Sequence, residues 1–251
     1  MNSQIVLQKY YPEYRSKAVL PPVLLELCID YLIEVSDKHY VNGNLEYQEI
    51  YVNEKKHGEW KEWHYNGELE YQETYVNGKR HGDWKWWHET ELGAIKCQLR
   101  SQGTYVNGKY HGLFREWFKN GQIESWGTFV NGVKHGEWKS WYRNGVLSSR
   151  LNYVNGEKHG EIKYWYKNGQ LSSQETFVDG EKHGECKRWY RNGVLYSRHN
   201  YANKTLHGES VVWHENGNLQ SRQIFIHGKE YEEMKQYDQN GRLKRRRKSR
   251  R

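Results

Sequence analysis

Short runs of aromatic and β-branched residues, about seven to nine long, alternate with tight-turn dipeptides along most of the chain. One set of turns falls at Asn66-Gly67, Asn120-Gly121, Asn144-Gly145, Asn168-Gly169, Asn192-Gly193 and Asn216-Gly217. A second falls at Asn77-Gly78, Asn107-Gly108, Asn131-Gly132 and Asn155-Gly156, with Asp179-Gly180 as a variant. Asn and Gly tolerate the positive φ that tight hairpins require. The pattern therefore predicts an antiparallel β-meander. A His-Gly pair sets its period, at His57, His81, His111, His135, His159, His183 and His207; five of the six intervals are 24 residues and one is 30. Residues 135 to 156, HGEWKSWYRNGVLSSRLNYVNG, are a clean copy. A fixed short period means stacked supersecondary units, here with two strands each.

Three positions hardly vary. The first strand carries Trp63, Trp87, Trp117, Trp141, Trp165, Trp189 or Trp213. The second carries Leu69, Ile123, Leu147, Leu171, Leu195 or Leu219, and six residues later an aromatic such as Tyr75, Phe129, Tyr153 or Phe177. Six residues apart, the aliphatic and the aromatic share a strand face. A three-residue loop, Arg143-Asn144-Gly145, sets Trp141 opposite Leu147, whereas a two-residue loop sets Tyr142 there. The first is favoured, because it gathers all three into one cross-strand ladder. Trp60, Trp84, Phe114 and Trp138 then lie on the other face. A sheet with solvent on both sides would expose them, and they are the candidate partner-binding residues. The row fades to Ile162, Cys186 and Ser210, so contacts are expected in the first half of the array.

Composition fits a thin sheet better than a thick core. Of 251 residues, 35% are hydrophobic but 15% are aromatic, with 12 Trp and 21 Tyr. Disordered chains are poor in such residues, and rings shared between neighbouring repeats can hold a quasi-one-dimensional fold. Cys28, Cys97 and Cys186 are odd in number and far apart, which suits free thiols in a reducing compartment. No signal peptide and no apolar stretch of membrane-spanning length is visible. An intracellular place, cytoplasmic or nuclear, is expected, in the host cell if the protein is viral.

Both ends depart from the repeat. Residues 1–36 are read as a helical cap, because Leu20 to Val35 carries a broad apolar surface after Pro21-Pro22. Leu20 to Leu32 (LPPVLLELCIDYL) also resembles the opening of an F-box, which would imply docking on a ubiquitin-ligase adaptor. Val23 stands where that family has Glu. Residues 37–241 form the array. It is interrupted between Trp87 and Tyr105 by six extra residues, read as a longer hairpin, either a tolerated insertion or a binding tongue. Residues 242–251 are a basic tail. Lys244, Arg245, Arg246, Arg247, Lys248, Arg250 and Arg251, with Arg242, equal the whole formal charge of +8. The run reads as a solvated tail or edge guard, with nuclear import or an acidic lipid or nucleic-acid partner as the alternative.

Little points to chemistry. Equivalent histidines two strands apart lie ~9–10 Å from each other, too far to share a zinc ion. The Gly of each pair is expected to kink the backbone, and the His to cap or stack at a turn. Glu59, Glu137, Glu161, Glu185 and Glu209 recur, whereas a catalytic carboxylate is normally unique. Lys61, Lys139, Lys163 and Lys187 have the same parity, so Glu–Lys ladders are expected. No catalytic, cofactor or metal residue is assigned.

The repeat NGxKHGEWKxWYxNGxLxS, followed by an aromatic and VNG, resembles the MORN repeat family in its variant class, from about Asp37 to Leu243. With the F-box-like start, it is similar to MORN repeat proteins of giant amoebal viruses such as the marseilleviruses. The resemblance implies an elongated, twisted single β-sheet and a non-enzymatic scaffold for protein–protein contact or self-association. In some members it implies peripheral binding of acidic membrane lipid. A ubiquitin-ligase adaptor and an antitoxin-like neutraliser are the other readings.

Overall fold

The computed structural model describes residues 33–89, 98–232 and 234–247. Every regular element among them is a β-strand, 25 in all. The helix expected over Leu20 to Val35 lies outside the described residues up to position 32, and its last three residues are strand instead, within Ile33–His39. The array therefore starts earlier than Asp37. It also runs later than Gly241, because Leu243–Arg247 pairs with Met234–Tyr237. The first part of the basic run is thus an edge strand. Residues 90–97, most of the expected tongue, lie outside the described residues. Its base is closed by Trp87 opposite Leu99 and by His88 N–H donating to Gln98 O at 2.9 Å.

Two compact units divide the chain, Met1–Lys109 and Tyr110–Arg251. In the first, antiparallel pairing runs from Ile33–His39 to Leu45–Val52, Gly58–Trp63, Leu69–Val76, Gly82–Trp87 and Leu99–Val106. In the second it runs from Gly112–Trp117 through successive hairpins to Leu243–Arg247.

Two turns build each repeat. At Asn144-Gly145, Tyr142 N–H donates to Val146 O and Gly145 N–H to Tyr142 O, both at 2.9 Å. The loop has the favoured three residues, and Trp141 lies opposite Leu147. Directly beyond it, however, Ser140 pairs with Ser149, leaving Ser148 as an extra residue. One extra residue exchanges the faces of everything past it. Tyr153 falls opposite Gly136 and joins Trp138, not Trp141. The single ladder expected of Trp, Leu and the aromatic is therefore two half-ladders on opposite faces. Trp63 opposite Leu69 and Gly58 opposite Tyr75 repeat the same slip in the first unit.

The other turn has both central residues at positive φ, as at Asn155 (51°) and Gly156 (86°). Past it the register slips again. Phe177 lies opposite Lys182, but Gln174 lies opposite Lys187. Positive φ at Gly184 (68°) takes up the bend. The strand expected whole is accordingly cut at His-Gly in every repeat except Val133–Trp141. The histidines sit at the neighbouring turn, as the sequence implied. Nδ1 of His57 is 3.4 Å from Asn77 N, and Nδ1 of His159 is 3.5 Å from Asp179.

Successive repeats are clasped at the hairpin tips. Asn144 Oδ1 accepts from Val146 N–H in its own turn, while its Nδ2 donates to Lys167 O of the next repeat at 2.8 Å. Tyr142 O–H donates to Trp165 O at 2.8 Å. Asn42 with Tyr65 and Tyr40 with Trp63 do the same in the first unit. This dual use of one amide explains why the turn residue is Asn, since the positive φ of the turn falls on Gly145 (80°) and not on Asn144.

Candidate protein-contact groove

One face of each unit carries charge. Glu59 and Lys61 are 2.6 Å apart, Glu137 and Lys139 2.7 Å, Glu161 and Lys163 2.8 Å, and Glu185 pairs with Lys187. Arg150 bridges to Glu161 at 3.0 Å and Arg222 to Glu209 at 2.5 Å. These are the Glu–Lys ladders that parity predicted.

The other face is the core. Its buried residues include Tyr75, Trp84 and Tyr105 in the first unit and Trp138, Ile162, Phe177 and Cys186 in the second. This corrects the exposure expected of the candidate contact row. Trp84 and Trp138 are 5% and 6% exposed, and Trp60 and Phe114 are half-buried. The reason is the extra residue at each hairpin, which places the terminal aromatics beside this row. In the first unit Trp60 and Trp84 pack around Tyr71, at 6.2 and 6.4 Å. In the second, Phe114 and Trp138 stack at 5.9 Å, and Phe129 stands against Trp138 at 5.0 Å.

An acid–base clamp recurs on this face, in the pattern Glu-x-aromatic-x4-base. Glu49 meets Lys56 at 2.9 Å, Glu73 meets Arg80 at 2.7 Å, and Glu175 meets Lys182 at 3.1 Å. Glu73 is fully buried and also accepts from Tyr71 O–H at 2.8 Å and Tyr75 O–H at 2.6 Å. Burial and the hydrogen bond to Glu73 push the Tyr75 phenol up to about 12.

In the repeat of Phe129 the clamp is absent. Gly127 stands where Glu would be, and the Trp138 ring occupies the space of a side chain there, 2.1 Å from where a Cβ would sit. Lys134 lies over Trp138 at 4.1 Å and Tyr153 at 5.5 Å. No carboxylate or hydroxyl among the described residues bonds its ammonium. Burial holds its pKa below the usual lysine value, against the pull of Glu116. Ser140 occupies the place where Tyr164 of the next repeat reaches Lys158 at 3.3 Å. Ser140 lines an open groove of about 780 Å³. Its floor is Phe114, Phe129, Trp138 and Leu151, and Glu116 lines it, accepting from Ser125 O–H at 2.8 Å. Arg143 and Lys167 stand on ring faces of its wall, over Phe118 at 5.7 Å and Tyr142 at 5.9 Å.

Of the four candidate contact residues, Phe114 and Trp138 line the groove and Trp60 and Trp84 do not; Lys134 and Glu116, which also line it, were not among the candidates. Across the copies the position of Gly127 is Glu at 49, 73 and 175 but Gly at 103 and 127, Leu at 151, His at 199 and Gln at 223, so the sequence alone does not single out 127. Sequence reasoning also missed the cross-strand pair Cys186 and His199. His199 Nδ1 lies 2.7 Å from Ser210 Oγ. The thiol is 5% exposed and burial pushes its pKa up, so it is a protonated core group and not an activated nucleophile. Among the described residues no three metal-ligating side chains converge, and no helix is long and apolar enough to cross a membrane. Of the basic run, Lys244 is exposed at the edge.

Hairpin units clasped end to end, each burying its rings against its neighbours, define a β-hairpin repeat protein. The chain belongs to the MORN repeat family: the MORN repeat variant matches residues 56–77, 110–131, 134–155, 158–179, 182–203 and 206–227. The matched segments span the groove and leave residues 20–32 and 242–251 outside. No curated protein matches the chain.

Proposed function

We propose that this chain is a non-catalytic scaffold that binds protein through the groove of its second unit. Phe114 and Trp138 are the anchoring rings, and Lys134, Arg143 and Lys167 are the charged wall. The observation that carries the reading is the open groove beside Ser140, floored by Phe114, Phe129, Trp138 and Leu151. It gives a partner both apolar floor and an amine that lacks a carboxylate. Aromatic anchors in a partly desolvated groove are what protein interfaces use for most of their affinity. The charged face is a poor competitor, since its groups already pair with each other.

The test uses a photo-crosslinking amino acid at Leu151, in the groove, and separately at Lys163, on the charged face. Protein adducts are expected at position 151 and lost when Phe114→Ser is added. Equal adducts at both positions, or none at 151, would end the reading.

A further inference from the structure

The histidine that opens each strand reaches the tip of the next turn, 20 residues further on. Asn77 N–H donates to His57 Nδ1 at 3.4 Å, Asn131 N–H donates to His111 Nδ1 at 3.5 Å, and His159 Nδ1 lies 3.5 Å from Asp179 Oδ1. The residue at that tip is Asn at 77, 131, 155 and 203 and Asp at 179. At 227 it is His. His207 therefore meets a second imidazole, and the two ring centres are 5.1 Å apart at an interplanar angle of 51°. His227 belongs to the turn and not to the series of strand-opening histidines, so the ~9–10 Å spacing of that series does not apply to it.

Both backbones are fixed before any ligand arrives. His207 N–H donates to Asn200 O and Gly228 N–H to Leu206 O, both at 2.8 Å. The residue after His227 is thus tied to the residue before His207. His227 holds φ at 48°, a left-handed value that His adopts more readily than most residues with a Cβ. Where a turn amide donates to Nδ1, as at His57, the ring proton must sit on Nε2. His207 Nδ1 is buried and has no hydrogen-bond partner among the described residues. No amide places its proton, and Nε2 can present a lone pair. His207 is half-buried and His227 exposed, so solvent reaches the pair. A zinc–nitrogen bond of ~2.05 Å sets the metal ~3.2 Å from the centre of a ligating imidazole, and a tetrahedral angle then sets two such centres ~5.2 Å apart. The right angle of octahedral or square-planar ions would set them ~4.5 Å apart. We propose that His207 and His227 form a zinc-binding pair that fastens the turn at His227-Gly228 to the strand end at Leu206-His207. No group of three metal-ligating side chains forms among the described residues, so water fills the remaining positions.

Equilibrium dialysis of the untagged full-length chain against zinc tests this, from about 1 to about 500 µM, a range wide enough for a site with two protein ligands. One zinc per chain is expected to bind about tenfold more tightly than any other. His207→Gln and His227→Asn should each abolish that first site. The double variant should lose no more than either single one, since both rings act on one ion. His227→Asn installs the residue found at most other tips, so the turn should keep its fold, and circular dichroism checks that it does. His57→Gln should leave the first site intact. Zinc should also raise the melting temperature of wild type but not of His227→Asn, because an ion held only by the folded chain stabilises it. No site filled at the highest concentration overturns the proposal, and so does tight uptake that survives His227→Asn; the rings are then a stacked pair and nothing more. Uptake lost as fully in His57→Gln would assign zinc to the turn histidines at large and overturn it as well.

Discussion

The two faces of the sheet are built from the same strands, yet they hold together by different physics. On the charged face carboxylates meet lysine or arginine in water, as Glu161 does with Lys163 and Arg150, with Gln174 as a further partner. On the buried face polar groups are few, and the fully buried carboxylate of Glu73 is tied down by Tyr71, Tyr75 and Arg80. A pair in water contributes ~0–1 kcal/mol. A buried carboxylate stripped of its partners costs several times that. Equal-looking repeats in the sequence therefore conceal unequal stakes, and substitutions should separate the faces sharply.

The largest effect is expected for Arg80→Ala and Glu73→Ala. Either leaves buried polar groups without their partners, at a cost of about 3 kcal/mol or more. Amide exchange across Leu69–Val76 should accelerate by about a hundredfold, because 1.4 kcal/mol is a factor of ten. An effect no larger than that of Glu161→Gln would erase the distinction between the faces. Gly127→Ala comes next. The added methyl would lie inside the Trp138 ring, so either ring or strand must move, at about 1–3 kcal/mol. The near-ultraviolet dichroism of the tryptophans should change, and partner binding by the groove with it.

Much of this was legible beforehand. Period, hairpins, the three-residue loop and the Glu–Lys ladders all follow from turn chemistry and parity, and Trp141 does lie opposite Leu147. The assignment of inside and outside failed because it hangs on one extra residue. Ser148 has no distinctive chemistry, yet its insertion sends Tyr153 to the face of Trp138. Parity arguments extend only as far as the next bulge. The site was half legible for a related reason. Phe114 and Trp138 announce themselves as large rings, whereas the groove opens where bulk is missing at Ser140. Residues 1–32 and 248–251, where the F-box-like start and the end of the basic tail fall, lie outside the described residues.

Acid should reach the buried face of the second unit through His199. Burial, with Arg188 and Lys182 nearby, holds its pKa below the ordinary 6.5. Above that value the imidazole is neutral in both states. As pH falls through it, the unfolded chain takes up the proton first and stability is lost, until the folded pKa is passed. Ser210 Oγ is the polar partner at Nδ1. Denaturant midpoints between pH 7.5 and 5 should fall for wild type and fall less for His199→Gln; parallel curves would refute the assignment. The tip clasp should follow at about 1 kcal/mol for Asn144→Ala, since two modest hydrogen bonds are lost at an exposed turn. Its mark is faster amide exchange at Val146, whose N–H the Asn144 side chain accepts.

The smallest effect belongs to the charged face. The ammonium of Lys163, hydrogen-bonded to Glu161, holds that carboxyl below the usual range despite partial burial, with help from Arg150 and Gln174. A depressed carboxylate stabilises the fold above its unfolded pKa, and that contribution fades as pH falls through the folded one. But Glu161 is 36% exposed, so water and salt share the field and the contribution stays below about 1 kcal/mol. Glu161→Gln should therefore shift the denaturant midpoint slightly at low salt and not at all in 0.5 M salt, a concentration at which the screening length is below about 5 Å. A loss that persists in high salt would mean that Glu161 acts through packing, and the charged face would then have to be counted as part of the core.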